Sequence, residues 1–184
     1  MLEFRRILEE ESDKIKSLSD IVMNHLERKE FFIPFSEQVY KDMFDNDKVI
    51  AYGAFDGDKL VGTAQLFVAE DYIKEVKSTL NIDNSKIVDL GGYLVLPEYR
   101  NQGIIKKLQT ILLDLAKEMD FDYIAITAHP ENVPSNAAIK NLNAEFKKIF
   151  TTSNGYERNL YLLGTISYNL INQELAKMKN IIKN

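Results

Sequence analysis

One stretch of the chain has residue types and spacing suited to anion chemistry: Gly91-Gly92-Tyr93-Leu94-Val95-Leu96-Pro97-Glu98-Tyr99-Arg100-Asn101-Gln102-Gly103-Ile104-Ile105-Lys106-Lys107-Leu108. The β-forming residues up to Leu96 predict a strand that stops at Pro97, and the apolar spacing beyond Gln102 predicts a helix. The intervening turn therefore feeds a helix N-terminus, where unpaired N–H groups and the positive end of the dipole favour an anion. A phosphate or pyrophosphate is the natural guest. Gly103 has no side chain to block close backbone approach, and Arg100 adds a planar cation at the rim. The plainer alternative is a well-made strand-to-helix turn, with Gly103 serving backbone geometry and Arg100 solvated.

The elements that must position this turn follow from periodicity. Residues 2–8 read as a first strand, and Ser12 as a cap for a helix over 13–28 that carries Ile15, Leu18, Val22 and Leu26. An apolar connector, Phe31-Phe32-Ile33-Pro34-Phe35, leads to Ser36, the expected cap of a second short helix. Strands over 49–55 and 60–68 flank Asp56-Gly57-Asp58-Lys59, good hairpin-turn chemistry. Residues 70–83 are polar, with Ile73, Val76 and Leu80 at helical spacing, and read as a short helix or ordered loop. The strand over 87–96 and the helix over 102–119 enclose the turn described above, and a strand over 123–128 and a helix over 135–142 come next. Strands over 147–152 and 156–163 flank Ser153-Asn154-Gly155, a hairpin in which Asn-Gly supplies positive φ angles. A tail helix follows, with Ile166, Leu170, Ile171, Leu175, Met178, Ile181 and Ile182 in one stripe. These elements make a mixed sheet in an α+β domain. The expected division is a domain over 1–164, with 165–184 as an amphipathic helix that packs on the same domain or forms a homodimer contact.

Composition narrows the chemistry. The 184 residues suit a single domain, and 45% hydrophobic with 28% charged residues is ordinary globular usage. A formal net charge of −5 argues against nucleic acid, whose readers concentrate basic charge on one face. No apolar run has the length a membrane span requires, and no apolar leader or cleavage site follows Met1, so a cytoplasmic protein with no membrane partner is expected. With no cysteine, a thiolate nucleophile and a zinc–cysteine site are ruled out. His25 and His129 fall on different elements, so no metal is expected. Walker A, G-x-S-x-G and H-E-x-x-H patterns are absent.

The turn also resembles the acetyl-CoA signature of the GCN5-related N-acetyltransferase (GNAT) family, R/Q-x-x-G-x-G/A. Arg100-Asn101-Gln102-Gly103-Ile104-Ile105 matches its Arg and first Gly, and Val95-Leu96-Pro97-Glu98-Tyr99 matches the V-x-P-x-Y lead-in. Ile105 stands where the final small residue is usual. Downstream, Asn132-Val133-Pro134-Ser135 resembles the family's N-x-x-S/A segment, and Leu142-Asn143-Ala144 stands for L-G-F or L-G-A, with Asn143 able to take the left-handed conformation of a helix stop. The resemblance covers about residues 2–163.

It implies a mixed, mostly antiparallel sheet splayed between the fourth and fifth strands, with acetyl-CoA in the gap as cosubstrate. The backbone of Leu94 and Val95 would pair with pantetheine, the turn from Arg100 through Asn101, Gln102, Gly103, Ile104 and Ile105 would hold the pyrophosphate, and Asn132 and Ser135 would face the pantetheine side. The implied activity is direct acetyl transfer to a primary amine of a small molecule or peptide. Asp89 stands where the histone-acetyltransferase branch carries a glutamate base that acts through water, and the ordinary alternative for it is strand hydrogen bonding or helix capping. Many members use a tyrosine after the fifth strand to protonate the thiolate, but Ile139 occupies that register. Tyr93, on the same alternating face as Asp89, is the candidate substitute, with groove packing as its plainer role, and Tyr99 is the weaker candidate. The acceptor would lie near Phe31, Phe32, Phe35 and the Ser153-Asn154-Gly155 turn. A non-catalytic acyl-CoA-binding or sensing module is the alternative function.

Overall fold

The chain, described here from a computed structural model over residues 1–82 and 85–165, builds its sheet from β1 (Glu3–Arg6), β2 (Val49–Asp56), β3 (Lys59–Phe67), β4 (Ile87–Val95), β5 (Tyr123–Ala128), β6 (Glu145–Thr151) and β7 (Glu157–Gly164). The spatial order is β1-β2-β3-β4-β5-β7-β6. Every pairing is antiparallel except β4 with β5. The last strand inserts between β5 and β6, and β6 stays at the edge with Phe146 and Ile149 exposed beside Lys147 and Lys148. Charge on such an edge discourages pairing with another chain. This is the expected mixed α+β sheet. The expected tail helix and the 165–184 assignment fall, from residue 166 onward, outside the described residues.

The helices are α1 (Ser12–Asn24), α2 (Glu37–Asp42), α3 (Glu70–Leu80), α4 (Ile104–Glu118) and α5 (Val133–Lys140). Helix α4 buries Ile104, Leu108, Leu112, Leu113 and Ala116 and packs on β2, β3 and β4. Helix α1 buries Ile15, Leu18 and Val22 against β3 and β4. The polar 70–83 segment resolves into α3 over most of its length, with Ile73 and Val76 in a separate apolar cluster with Ile87, Ala125 and Leu160. Asn81 ends that helix in the left-handed region, at φ +56°.

Two local expectations are corrected. Ser12 is the first residue of α1 rather than its cap; the cap position belongs to Glu11. The Glu11 carboxylate accepts from Arg5 Nη1 at 2.7 Å, Arg5 Nη2 at 2.8 Å, Lys14 Nζ at 3.0 Å and the Leu8 N–H at 3.1 Å. The carboxylate ties β1, the loop and the first turn of α1 together, without its side chain capping a helix N–H. Helix α1 also stops at Asn24 rather than near 28. His25 Nδ1 lies 2.8 Å from the Ile21 carbonyl, and Arg28 pairs with Glu30 and with Glu131 of the β5–α5 loop. The chain thus leaves the helix early and carries Phe31–Phe35 over the sheet.

The network holds the Glu11 carboxyl far below its usual range, at about 2, chiefly through the hydrogen bond from Arg5. A depressed folded pKa contributes stability that is complete above the unfolded value near 4.5 and fades as pH falls toward 2. Glu11→Gln should therefore cost about 2 kcal/mol in urea unfolding at pH 7, and its deficit against wild type should shrink steadily below pH 4.5.

Candidate functional site

Strand β4 pairs with β5 only at Ile87–Tyr123, Val88–Ile124 and Asp89–Ala125. Beyond Asp89 the two strands part, so β4 keeps its β3 partner on one side and has none on the other. The β3–β4 register also slips. Thr63 faces Leu94 while Gln65 faces Gly91, which leaves an extra residue in β4 at Gly92-Tyr93. A bulge of this kind bends a strand and re-aims its side chains. Gly92 sits at φ +64°, and a Cβ there would stand 1.8 Å from Gln65 Oε1. Gln65 is fully buried and its Nε2 donates to Thr63 Oγ1 at 2.8 Å, so it cannot readily yield.

Two cavities open at the divergence. The first, about 440 Å³, is walled by Phe31, Phe32, Phe35, Phe67 and Phe150, with Asp89, Asn154 and Arg158 among its polar lining. The second, about 430 Å³, is lined by Val95, Arg100, Asn101, Gly103, Ile104 and Ile105, and reaches Gln109 and Ile139. Both are lined by Val22, Leu26, Tyr93, Asn132 and Ser135, so these residues mark their common boundary. Leu94 lines the first cavity and not the second.

The second cavity is built on the strand-to-helix turn. Pro97–Tyr99 forms a single 3-10 turn, tied to the β2–β3 hairpin by Tyr99 Oη donating to Asp56 at 2.8 Å and by Lys59–Glu98 at 3.1 Å. Asn101 at φ +62° and Gly103 at φ +76° then swing the backbone into α4. Gly103 is the N-cap and has no side chain to satisfy the first-turn N–H groups. A Cβ at Gly103 would meet nothing within 4 Å, so open space lies beside those donors. The open cradle, the uncapped helix and the neighbouring Arg100 and Lys106 fit a polyanionic cofactor. Gln102 is not part of the lining; its Nε2 donates back to the Glu98 carbonyl at 3.2 Å.

On the far wall, Asn132 caps α5, its Oδ1 accepting from the Ser135 N–H at 3.2 Å. The next turn hides a residue that sequence reading passed over. Asn136 is buried: Nδ2 donates to the carbonyls of His129 at 2.9 Å and Asn132 at 2.8 Å, and Oδ1 accepts from Asn159 Nδ2 and Tyr161 Oη, both at 2.8 Å. It stitches the α5 entrance to β7. Ile139 is buried against the second cavity; α5 ends at Lys140, and Asn143 takes the left-handed region at φ +59° in the turn that follows.

Asp89 and Tyr93 line the first cavity together. Asp89 Oδ1 is inaccessible and has no hydrogen-bond partner among the described residues. Burial alone pushes this carboxyl up to about 7. Burial likewise raises the Tyr93 phenol, with the Asp89 charge adding to the rise, so the phenol holds its proton at neutral pH. Tyr93 Oη accepts from Gln109 Nε2 at 3.3 Å. Gln109 was invisible as a site residue because its partner lies on another element. Across the cavity, Tyr72 donates to Asp42 at 2.7 Å and Glu75 accepts from the Ser153 N–H at 2.5 Å, so both are engaged. Arg158, also missed, is 3% exposed.

Residues 21–143 match the sequence model of the Acetyltransferase (GNAT) family. The fold is similar to that of the ribosomal-protein-S18-alanine N-acetyltransferase of Escherichia coli, with a TM-score of 0.66 at 15% identity over 90% of this chain and 94% of that one. A probable acetyltransferase of Staphylococcus epidermidis aligns with a TM-score of 0.69 at 17% identity, over 90% and 99% of the two chains. Arabidopsis thaliana NAA60, solved in complex with acetyl-CoA, gives 0.66 at 14% identity over 89% and 98%. No protein of curated function matches the sequence.

A raised carboxyl pKa opposes folding once the group must ionise. The penalty of Asp89 is absent below its unfolded value near 3.8 and grows until about pH 7, above which it is constant. Asp89→Asn should therefore leave stability nearly unchanged at pH 4 and raise it by roughly 2–4 kcal/mol at pH 8, read from urea midpoints of both proteins.

Proposed function

Since the chain belongs to the GNAT acetyltransferase family, we propose that it transfers an acetyl group from acetyl-CoA directly to a primary amine of a small molecule or peptide. The observation that carries this reading is the pair of cavities that share Tyr93 where β4 leaves β5. One suits a cofactor and the other an acceptor, and a direct transfer needs both at one boundary. All elements the reading uses lie within residues 1–164.

Acetyl-CoA, when bound, supplies an acetyl group activated as a thioester. The N–H groups of Gly103, Ile104 and Ile105 would hold its pyrophosphate, with Arg100 and Asn101 at the rim. On the side that β5 leaves open, the backbone of Leu94 and Val95 would take the pantetheine arm, and Asn132 and Ser135 would face it from α5. The N–H near Val95 would polarise the thioester carbonyl. Gln102 contributes backbone only, because its side chain is bonded within the turn.

Asp89 is the proposed base. Its carboxyl, at about 7, is poised to take a proton from the acceptor ammonium near neutral pH, directly or through one water. Tyr93 is the proposed acid: its protonated phenol stands at the boundary of the two cavities and is oriented by Gln109. It would deliver a proton to the departing sulfur. This arrangement takes the place of a tyrosine on α5, where Ile139 is apolar and buried.

Acetyl-CoA at about 100 times its dissociation constant should stabilise the wild type by roughly 2.7 kcal/mol, a thermal shift of about 5–10 °C. Gly103→Glu should remove that shift in a folded protein. Against a panel of amines, kcat/KM should rise with pH to a plateau above about 7. Asp89→Asn should lose roughly 100- to 10,000-fold and flatten the profile, and Tyr93→Phe should lower kcat with little change in KM. Tight acetyl-CoA binding without turnover on any amine would favour the acyl-CoA-sensing alternative.

A further inference from the structure

Arg158 enters β7 opposite Phe150, and its side chain lines the aromatic cavity. It is 3% exposed, and its Nη2 is inaccessible and without a hydrogen-bond partner among the described residues. Its contacts are few: Nη1 donates to the neighbouring Glu157 carbonyl at 2.7 Å, and the guanidinium lies 5.2 Å from the centre of the Tyr156 ring. It forms no ion pair among the described residues. A cation removed from water is costly unless a counter-charge offsets it, and burial pulls the Arg158 pKa down with no carboxylate acting against it. His129, nearby, is itself pushed toward neutrality by burial and by Arg158. The acids that line the same cavity are otherwise placed, since Glu75 holds the Ser153 N–H and Asp89 lies at the opening between β4 and β5.

We propose that Arg158 is a specificity residue that binds a carboxylate on the acceptor, so that the substrate class is an amine with an apolar body and a carboxylate set several bonds from the nitrogen. Arg158 lines the cavity, and a planar guanidinium offers directed N–H donors to a carboxylate. The five phenylalanines that wall the cavity suit the apolar body. The separation follows from strand register: Asp89 pairs with Ala125, Ala125 with Leu162, and Arg158 lies four residues before Leu162 on β7. Strand spacing puts those two backbone positions about 10 Å apart across the sheet and about 13 Å along it. The acceptor bridges what the two side chains leave of that separation.

The assignment of this carboxylate to an acetyl acceptor rests on the transferase reading, and two measurements separate the claims. The first compares binding of para-toluate and para-toluamide, which carry no amine, by ligand-observed NMR. Wild type should bind the acid at least tenfold more tightly, Arg158→Met should erase the preference, and Arg158→Lys should keep part of it. The second compares kcat/KM for para-(aminomethyl)benzoate and its amide; Arg158→Met should lower the acid-to-amide ratio at least tenfold, through KM, with kcat nearly unchanged. Equal binding of the two toluyl compounds by wild type, or a preference that survives in folded Arg158→Met, overturns the proposal even if acetyl transfer stands. If Arg158→Met fails to fold, the wild-type comparison and Arg158→Lys still decide. A preference for the acid with no product from any amine keeps the carboxylate site and overturns its assignment to an acetyl acceptor.

Discussion

A parallel strand pair that stops after three residues is the constraint from which the rest of the site follows. With β4 bonded to β5 only as far as Asp89, the remaining length of β4 presents backbone groups that no neighbouring strand satisfies. Unpaired backbone in a buried setting is costly unless water or a ligand meets it. The same parting of strands opens room for two cavities whose boundary falls at Tyr93. The divergence is reinforced by the bulge at Gly92, which is locked by a buried glutamine that leaves no space for a Cβ. Both devices act on one strand, and that strand carries Asp89, Tyr93, Leu94 and Val95.

Each wall of the opening is held from outside it. The strand-to-helix turn is fastened to the β2–β3 hairpin through Tyr99 and Glu98, and the α5 entrance is fastened to β7 through Asn136. The aromatic connector is drawn over the first cavity by Arg28, which bridges to Glu30 and Glu131, and by Phe31 against the His129 ring at 5.3 Å. Side chains that line the two cavities are therefore largely spared the task of holding the frame. Buried atoms without a partner among the described residues occur in the cavity, on Asp89 and Arg158, and also on Arg6 and Gln65, while Asn136 is fully satisfied.

Electrostatics inside the first cavity follow from the same geometry. Asp89 and Arg158 carry opposite charge when ionised but form no ion pair, because β5 stands between their strands and their registers differ. Each consequently feels burial rather than its opposite, which raises one pKa and lowers the other. Mutual neutralisation would have left a structural salt bridge and an inert wall. Kept apart, the two groups face a shared volume from different ends.

What the sequence determined by itself was local. Hydrophobic periodicity marked the strands and the helices described here, and Gly103, Asn143 and Gly155 each announced a backbone conformation that only certain residues adopt readily, whereas Asn154, expected at positive φ beside Gly155, does not take one. The anion-ready turn was legible for the same reason, since an N–H cradle at a helix start is written in consecutive residues. Tertiary structure decided what depends on partners distant in the chain. Glu11 displaced Ser12 as the helix cap because Arg5 and Lys14 converge on it. Gln109 reached Tyr93 only because α4 packs on β4. Arg158, on an unremarkable charged strand end, became a buried cation because β7 slides between β5 and β6. Long-range strand order leaves no local trace in residue spacing, and it is strand order that set the chemistry of the aromatic cavity.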